Sequence, residues 1–118
     1  MSMFGGPGVI GGIHSEVLKA TPTDLAGKVS LIAEIKTRGR NAFASGNYPE
    51  AEMLYAKGIE VSDDDALKGR ELSILHANRA LARLNLGKVD EALNDGIQVR
   101  ESDQWRGRAD FVVFFRIY

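Results

Sequence analysis

Two short stretches, Gly46-Asn47-Tyr48-Pro49-Glu50-Ala51 and Gly87-Lys88-Val89-Asp90-Glu91-Ala92, decide how this chain reads. Set one over the other, they match at Gly, Glu and Ala in register, 41 residues apart. Each begins with a glycine that can close one helix, followed at once by the start of another. Upstream of the first turn, Leu25, Val29, Ile32, Ile35, Gly39, Ala42 and Phe43 recur at three- and four-residue steps, gathering small and apolar residues on one helical stripe. Downstream, Tyr48, Ala51, Leu54, Tyr55 and Ile59 make a second stripe that fades at Ser62-Asp63-Asp64-Asp65. The pattern returns around the second turn, with Leu72, Leu75, Leu81 and Leu84 before it and Val89, Ala92, Leu93 and Ile97 after it. Helices joined this tightly lie antiparallel, and the unit occurs twice.

The same signals set boundaries. Thr21-Pro22-Thr23-Asp24 supplies a capping hydroxyl and a proline that gives up only an unneeded donor, which predicts a first helix over 22–45. Further helices are predicted over 48–61, 66–86 and 89–101. A fifth, over 104–117, would put Phe111, Phe114, Phe115 and Tyr118 on one face, with Trp105 in its first turn. Residues 1–20 begin glycine-rich and read as a flexible tail. Residues 21–118 read as one domain, with repeats at about 32–65 and 73–106.

Composition narrows the function. With 118 residues, 44% hydrophobic and 26% charged, the chain has room for one ordinary domain. Fifteen Lys and Arg against sixteen Asp and Glu leave a net charge of −1, which speaks against nucleic acid or an anionic membrane as partner. There is no cysteine and there are two histidines, so no thiolate centre is possible, and neither a metal nor another cofactor is expected. No stretch runs the roughly eighteen uncharged apolar residues that a membrane span needs.

These residues resemble the tetratricopeptide repeat, a helix–turn–helix unit of about 34 residues. Gly39, Ala51, Tyr55 and Gly58 in the first unit, and Ala80, Gly87 and Ala92 in the second, fall where that repeat places its small and large residues. A small residue on one helix lets its partner approach, and a large side chain fills the groove beside it. The longer spacing here belongs to the connection around Asp63 to Glu71. A plain amphipathic four-helix bundle would show the stripes, but it does not require matched Gly and Ala at repeated offsets. Leu75-His76-Ala77-Asn78-Arg79-Ala80-Leu81-Ala82 and Asn94-Asp95-Gly96 look like the middle repeat of the co-chaperone branch, and the resemblance covers roughly residues 35 to 109. It implies an all-α superhelix of antiparallel pairs, with two full repeats and a C-terminal helix.

The resemblance further implies a cytoplasmic protein-binding module rather than an enzyme. In that branch a concave groove clamps the acidic C-terminal tail of a heat-shock chaperone, ending in Glu-Glu-Val-Asp. Carried across, Lys36 falls on the first-repeat lysine of the clamp and Asn78 on the second-repeat asparagine. Arg40 stands where the first-repeat asparagine would be, with Asn41 beside it. In the third repeat Arg108 best matches the lysine and Val112 replaces the arginine, although one gap would put Gly107 at the lysine position. The expected peptide-binding residues are therefore Lys36, Arg40, Asn41, Asn78 and Arg108.

Other chemistries fit less well. Asp63-Asp64-Asp65 lacks the spacing of an EF-hand, whose key places are taken by Leu67, Lys68 and Ile74, and reads as a helix cap. Gly5-Gly6-Pro7-Gly8 has no following Lys-Ser or Lys-Thr. Ser62 or Ser73 with His76 is a chance pairing, since each serine has a simpler capping or helical role. Arg79 is expected to pair with an acidic neighbour. The C-terminal aromatics allow two readings, an intramolecular cap on the second repeat or a homo-oligomer contact through Trp105, Phe111, Phe114 and Phe115.

Overall fold

The computed structural model describes residues 12–67 and 69–100, apart from the side chains of Asp65, Arg70 and Arg100. Among them the chain forms five α-helices: α1 (Ser15–Lys19), α2 (Leu25–Ala44), α3 (Tyr48–Val61), α4 (Arg70–Asn85) and α5 (Val89–Arg100). Single 3-10 turns lie at Gly12–His14 and Asp65–Leu67, and there is no strand among the described residues. The fold is all α. The fifth predicted helix and residues Trp105, Gly107, Arg108, Phe111, Val112, Phe114, Phe115 and Tyr118 lie outside the described residues.

The two turns that organise the sequence have one geometry. Gly46 and Gly87 sit at φ 81° and 78°, which a side chain disfavours and glycine does not. At the first, the Asn47 N–H donates to the Ala42 carbonyl at 2.8 Å and the Gly46 N–H to Phe43 at 3.0 Å. At the second, the Lys88 N–H donates to Arg83 at 2.8 Å and the Gly87 N–H to Leu84 at 3.1 Å. Both are Schellman closures, satisfying the carbonyls that a helix end leaves unpaired. The repeat inferred from matched residues is thus also a repeat of hydrogen bonds.

Each helix packs on the next, α2 on α3, α3 on α4 and α4 on α5. The core takes Ile32, Ile35 and Ala42 from α2, Ala51, Leu54, Tyr55 and Val61 from α3, Leu67 from the connection, and Leu75 and Ala82 from α4. Ile35 is wholly buried. Two glycines govern how closely the helices approach. A Cβ on Gly39 would sit 2.5 Å from the Tyr55 ring, and one on Gly58 would meet Leu75 at 2.9 Å and Ile35 at 3.3 Å. Gly58 of α3 is therefore covered by α2 on one side and α4 on the other. Ser62 ends α3 by donating its buried hydroxyl to the Gly58 carbonyl at 2.8 Å, the capping role expected of it.

Two helix starts differ from expectation. Helix α2 begins at Leu25, not Pro22, because Asp24 is extended at φ −97° and ψ 157°. Leu25 and Val29 continue the stripe but stay exposed, since α3 has 14 residues against the 20 of α2 and ends before reaching them. Helix α4 begins at Arg70, because Gly69 at φ 108° separates it from the 3-10 turn that starts at Asp65. The Asp63–Asp65 run serves that turn, with Asp64 Oδ1 accepting from the Ala66 N–H at 2.9 Å and Asp63 paired with Lys28 at 3.1 Å.

Finally, residues 12–19, assigned to a tail from sequence, fold down. Val17 is buried in the core cluster with Leu18 packed against it. Arg38 of α2 donates to the Ile13 carbonyl at 3.3 Å and pairs with Glu16 at 3.2 Å. It also donates to His14 Nδ1 at 3.1 Å, while His14 Nε2 faces Glu50 at 3.2 Å. Those partners define the ring as the Nε2–H tautomer.

Candidate peptide-binding groove

Helices α2 and α4 run side by side over α3 and leave a groove between them. The residues facing across it fix their relative direction: Lys36 of α2 stands opposite Glu71 of α4, and Arg40 opposite Asn78. Both helices therefore run the same way, as the first helices of successive repeats must. Lys36, Arg40 and Phe43 share a face of α2, and Glu71, Asn78 and Leu81 share one of α4, by helical spacing.

Two hollows of about 140 Å³ each open along this line. One is bounded by Arg40, Phe43, Ala44, Tyr55, Asn78 and Leu81. The other is bounded by Val29, Ile32, Ala33, Lys36, Leu67 and Glu71. In the first, Arg40 makes no ion pair among the described residues, and Phe43, Ala44 and Leu81 supply an apolar wall. Tyr55 forms part of the lining although it is only 2% exposed. Burial pushes the Tyr55 phenol above its ordinary pKa, and the nearby positive charge of Arg40 offsets part of that. In the second hollow, Lys36 donates to Glu71 Oε2 at 3.0 Å, so the cation already has an acid.

The structure thus brings Lys36, Arg40 and Asn78 into one groove. Asn41 is exposed and bounds neither hollow, and Arg108 lies outside the described residues. The reading from residue spacing did not include Tyr55, Phe43, Leu81 or Glu71 as groove residues. The seven-residue steps from Lys36 to Phe43 and from Glu71 to Asn78 are the signal that marks two of them.

The second repeat is held against the first by a polar network behind the groove. Asp95 of α5 is 1% exposed and accepts from three cationic or ring donors of α4. They are His76 Nδ1 at 2.8 Å, Arg79 through Nε at 2.9 Å and Nη2 at 2.6 Å, and Arg83 Nη1 at 2.8 Å. Arg83 also donates through Nε to Glu52 of α3 at 2.9 Å, and Lys88 donates to the other oxygen of Glu52 at 2.9 Å. Burial alone would raise the Asp95 pKa. The hydrogen bonds from His76 and Arg79, with the charges of Arg79 and Arg83, outweigh burial and leave it lowered. Glu52 behaves alike: burial raises its pKa, and Lys88 and Arg83 bring it down overall. The acidic neighbour expected for Arg79 is Asp95. His76 is held as part of this network.

Among the described residues no group of three or more His, Cys, Asp or Glu side chains is placed to hold a metal ion, and no helix is long and apolar enough to cross a membrane. What the groove offers is directional: cations and an amide beside apolar walls, on a scaffold of stacked hairpins.

Two like-closed helix pairs, stacked through small residues at the close approaches, define a helical-repeat domain of the kind that binds other proteins, and its curated relatives are tetratricopeptide-repeat proteins. Comparison with known proteins agrees. The chain is 36% identical over 61 residues to tetratricopeptide repeat protein 12 of Homo sapiens, a match covering 52% of this chain and 8% of that protein. It is 34% identical over 67 residues to the TPR repeat-containing thioredoxin TTL4 of Arabidopsis thaliana, covering 57% of this chain and 9% of that one. The inactive TPR repeat-containing thioredoxin TTL3 of the same plant is 30% identical over 67 residues, with the same coverage of 57% and 9%. The chain therefore spans less than a tenth of the length of the curated relatives it matches. No protein-family profile matches it, and no solved structure does.

Proposed function

We propose that this domain is a non-enzymatic, co-chaperone-like adaptor whose α2–α4 groove takes the acidic C-terminal peptide of a heat-shock chaperone, in the cytoplasm. The observation that carries this reading is the hollow around Arg40. A guanidinium without an acidic partner among the described residues stands beside the Asn78 amide and over an apolar wall of Phe43, Ala44 and Leu81. A guanidinium receives a carboxylate in a two-pronged hydrogen bond, an amide can both donate to and accept from an extended peptide backbone, and the wall takes an apolar side chain.

Calorimetric titration with a peptide ending in Glu-Glu-Val-Asp, at low and at physiological salt, tests the reading. Binding that weakens with salt, and that drops about fivefold or more in Arg40→Ala or Asn78→Ala, is expected. A wild-type domain that takes up no peptide even at low salt refutes it.

A further inference from the structure

We propose that Glu71 is a specificity-determining residue of the groove, a built-in competitor that occupies Lys36 and leaves Arg40 to receive the carboxylate of an acidic peptide. The inference rests on the peptide-binding reading above and adds to it a residue that the clamp pattern does not contain.

The two hollows have the same volume and each holds one basic residue, yet their charge differs. The Lys36 ammonium lies 3.0 Å from Glu71 Oε2, across the groove from helix to helix. Arg40, one turn further along α2, faces an amide and a phenol instead. Glu71 is anchored in this position by the fold. It stands in the first turn of α4, where the unpaired backbone N–H groups favour a negative charge. That turn is placed over Leu67 and beside Ile32, within reach of Lys36, by the connection ending in Gly69. Val29, Ile32, Ala33 and Leu67 line the same hollow with apolar surface.

The pair remains reachable, because the side chains of Lys36 and Glu71 are 30% and 40% exposed. A carboxylate arriving at Lys36 therefore meets a lysine already donating to an acid and a second negative charge beside it. It binds there only by turning Glu71 out into solvent. Arg40 meets no such opposition among the described residues. Among the described residues the groove thus presents one open cation, Arg40, and ligands carrying dense paired acids lose the advantage they would have in a fully basic clamp.

The test compares wild type, Lys36→Ala, Glu71→Gln and the double variant, titrated with the Glu-Glu-Val-Asp peptide at low salt, with circular dichroism confirming each fold. Glu71→Gln keeps the shape of the side chain and removes its charge, so the helix survives. It is expected to tighten peptide binding about three- to tenfold. Lys36→Ala in the wild-type background should change affinity less than about twofold, and in the Glu71→Gln background it should abolish the gain. Unchanged or weaker binding by Glu71→Gln, or a severalfold loss from Lys36→Ala alone, overturns the role of Glu71 while leaving the groove as a peptide site. No binding by any of the four proteins overturns both. Binding that appears only in Glu71→Gln overturns the proposal as well, since Arg40 of the wild type then does not receive the carboxylate.

Discussion

Replacing Gly39 by alanine tests the packing argument most sharply, because two effects of similar size act in opposite directions. In an exposed helix interior, Ala is favoured over Gly by about 1 kcal/mol. At Gly39 the added methyl would lie 2.5 Å from Tyr55 Cζ, 2.6 Å from Cε1 and 2.9 Å from the hydroxyl. Carbon atoms settle at about 3.5–4.0 Å, so the overlap is on the order of 1 Å. The Tyr55 ring is rigid and buried among Ile35, Ala42, Ala51 and Leu54, so it cannot rotate away as a flexible side chain would. Helices α2 and α3 must separate instead, and a gap of 0.5–1 Å forfeits roughly a quarter to a half of each dispersion contact across it. Overpacking of this kind costs about 1–3 kcal/mol, which leaves a net destabilisation of about 1–2 kcal/mol after the helix preference is subtracted. Urea denaturation followed by circular dichroism reads this directly. Gly27→Ala is the internal control: its nearest neighbour is the Asp24 carboxylate oxygen at 2.6 Å, the movable end of an exposed side chain. It should be neutral or stabilising by up to about 1 kcal/mol. Tyr55→Leu should relieve part of the Gly39→Ala penalty in a double-mutant cycle. If Gly39→Ala stabilises the domain as much as Gly27→Ala does, close approach of α2 and α3 at this point is not what glycine is there to permit.

Asp95→Asn should destabilise the domain by about 3 kcal/mol in the same assay, because it leaves Arg79 and Arg83 facing a neutral group in a buried setting; a loss under 1 kcal/mol would remove the network from the account of stability. The Asp95 and Glu52 carboxyls both have lowered pKa values in the fold, so the stability they contribute is fully present above the ordinary carboxylate pKa of about 4 and disappears as pH falls through their folded values. Unfolding free energy should therefore fall below about pH 4, with a shallower fall in Asp95→Asn. Gly87→Ala meets no neighbour within 4 Å, so its penalty should be conformational alone, about 1 kcal/mol for an alanine at φ 78°.

The central parts of the fold are legible in the sequence because they are written in local terms. Gly46 and Gly87 mark turns that only a few residues can close, and the stripes of α2, α3 and α5 run long enough for their period to be unambiguous. What local pattern cannot show is where a helix loses its neighbour. Leu25 and Val29 continue the α2 stripe, yet the length of α3 determines that they stay exposed. Gly69 sits in a run that still reads as helical through Leu72 and Leu75, and only its positive φ shows the break. Residues 12–19 are too short to show a period, and they fold because Val17 and His14 meet α2 and α3. The groove follows the same rule. Lys36, Arg40 and Asn78 can be placed on groove-facing helices by resemblance, whereas the pairing of Lys36 with Glu71, 35 residues away, exists only once the connection has folded.

Glu52 of α3 acts as the bolt of a joint between two hairpins, holding Arg83 and Lys88 of the second. Apolar faces alone would let one hairpin slide or pivot against the next with little change in buried area, whereas Glu52 gripped by Arg83 and Lys88, with Arg83 itself fixed by Asp95 of its own hairpin, admits a single setting. The angle at that joint is magnified along the length of the helices, as a small turn at a pivot is magnified at the end of a lever. The width of the groove at Arg40 and Asn78 is therefore governed from its far side, by charges that never touch what the groove holds.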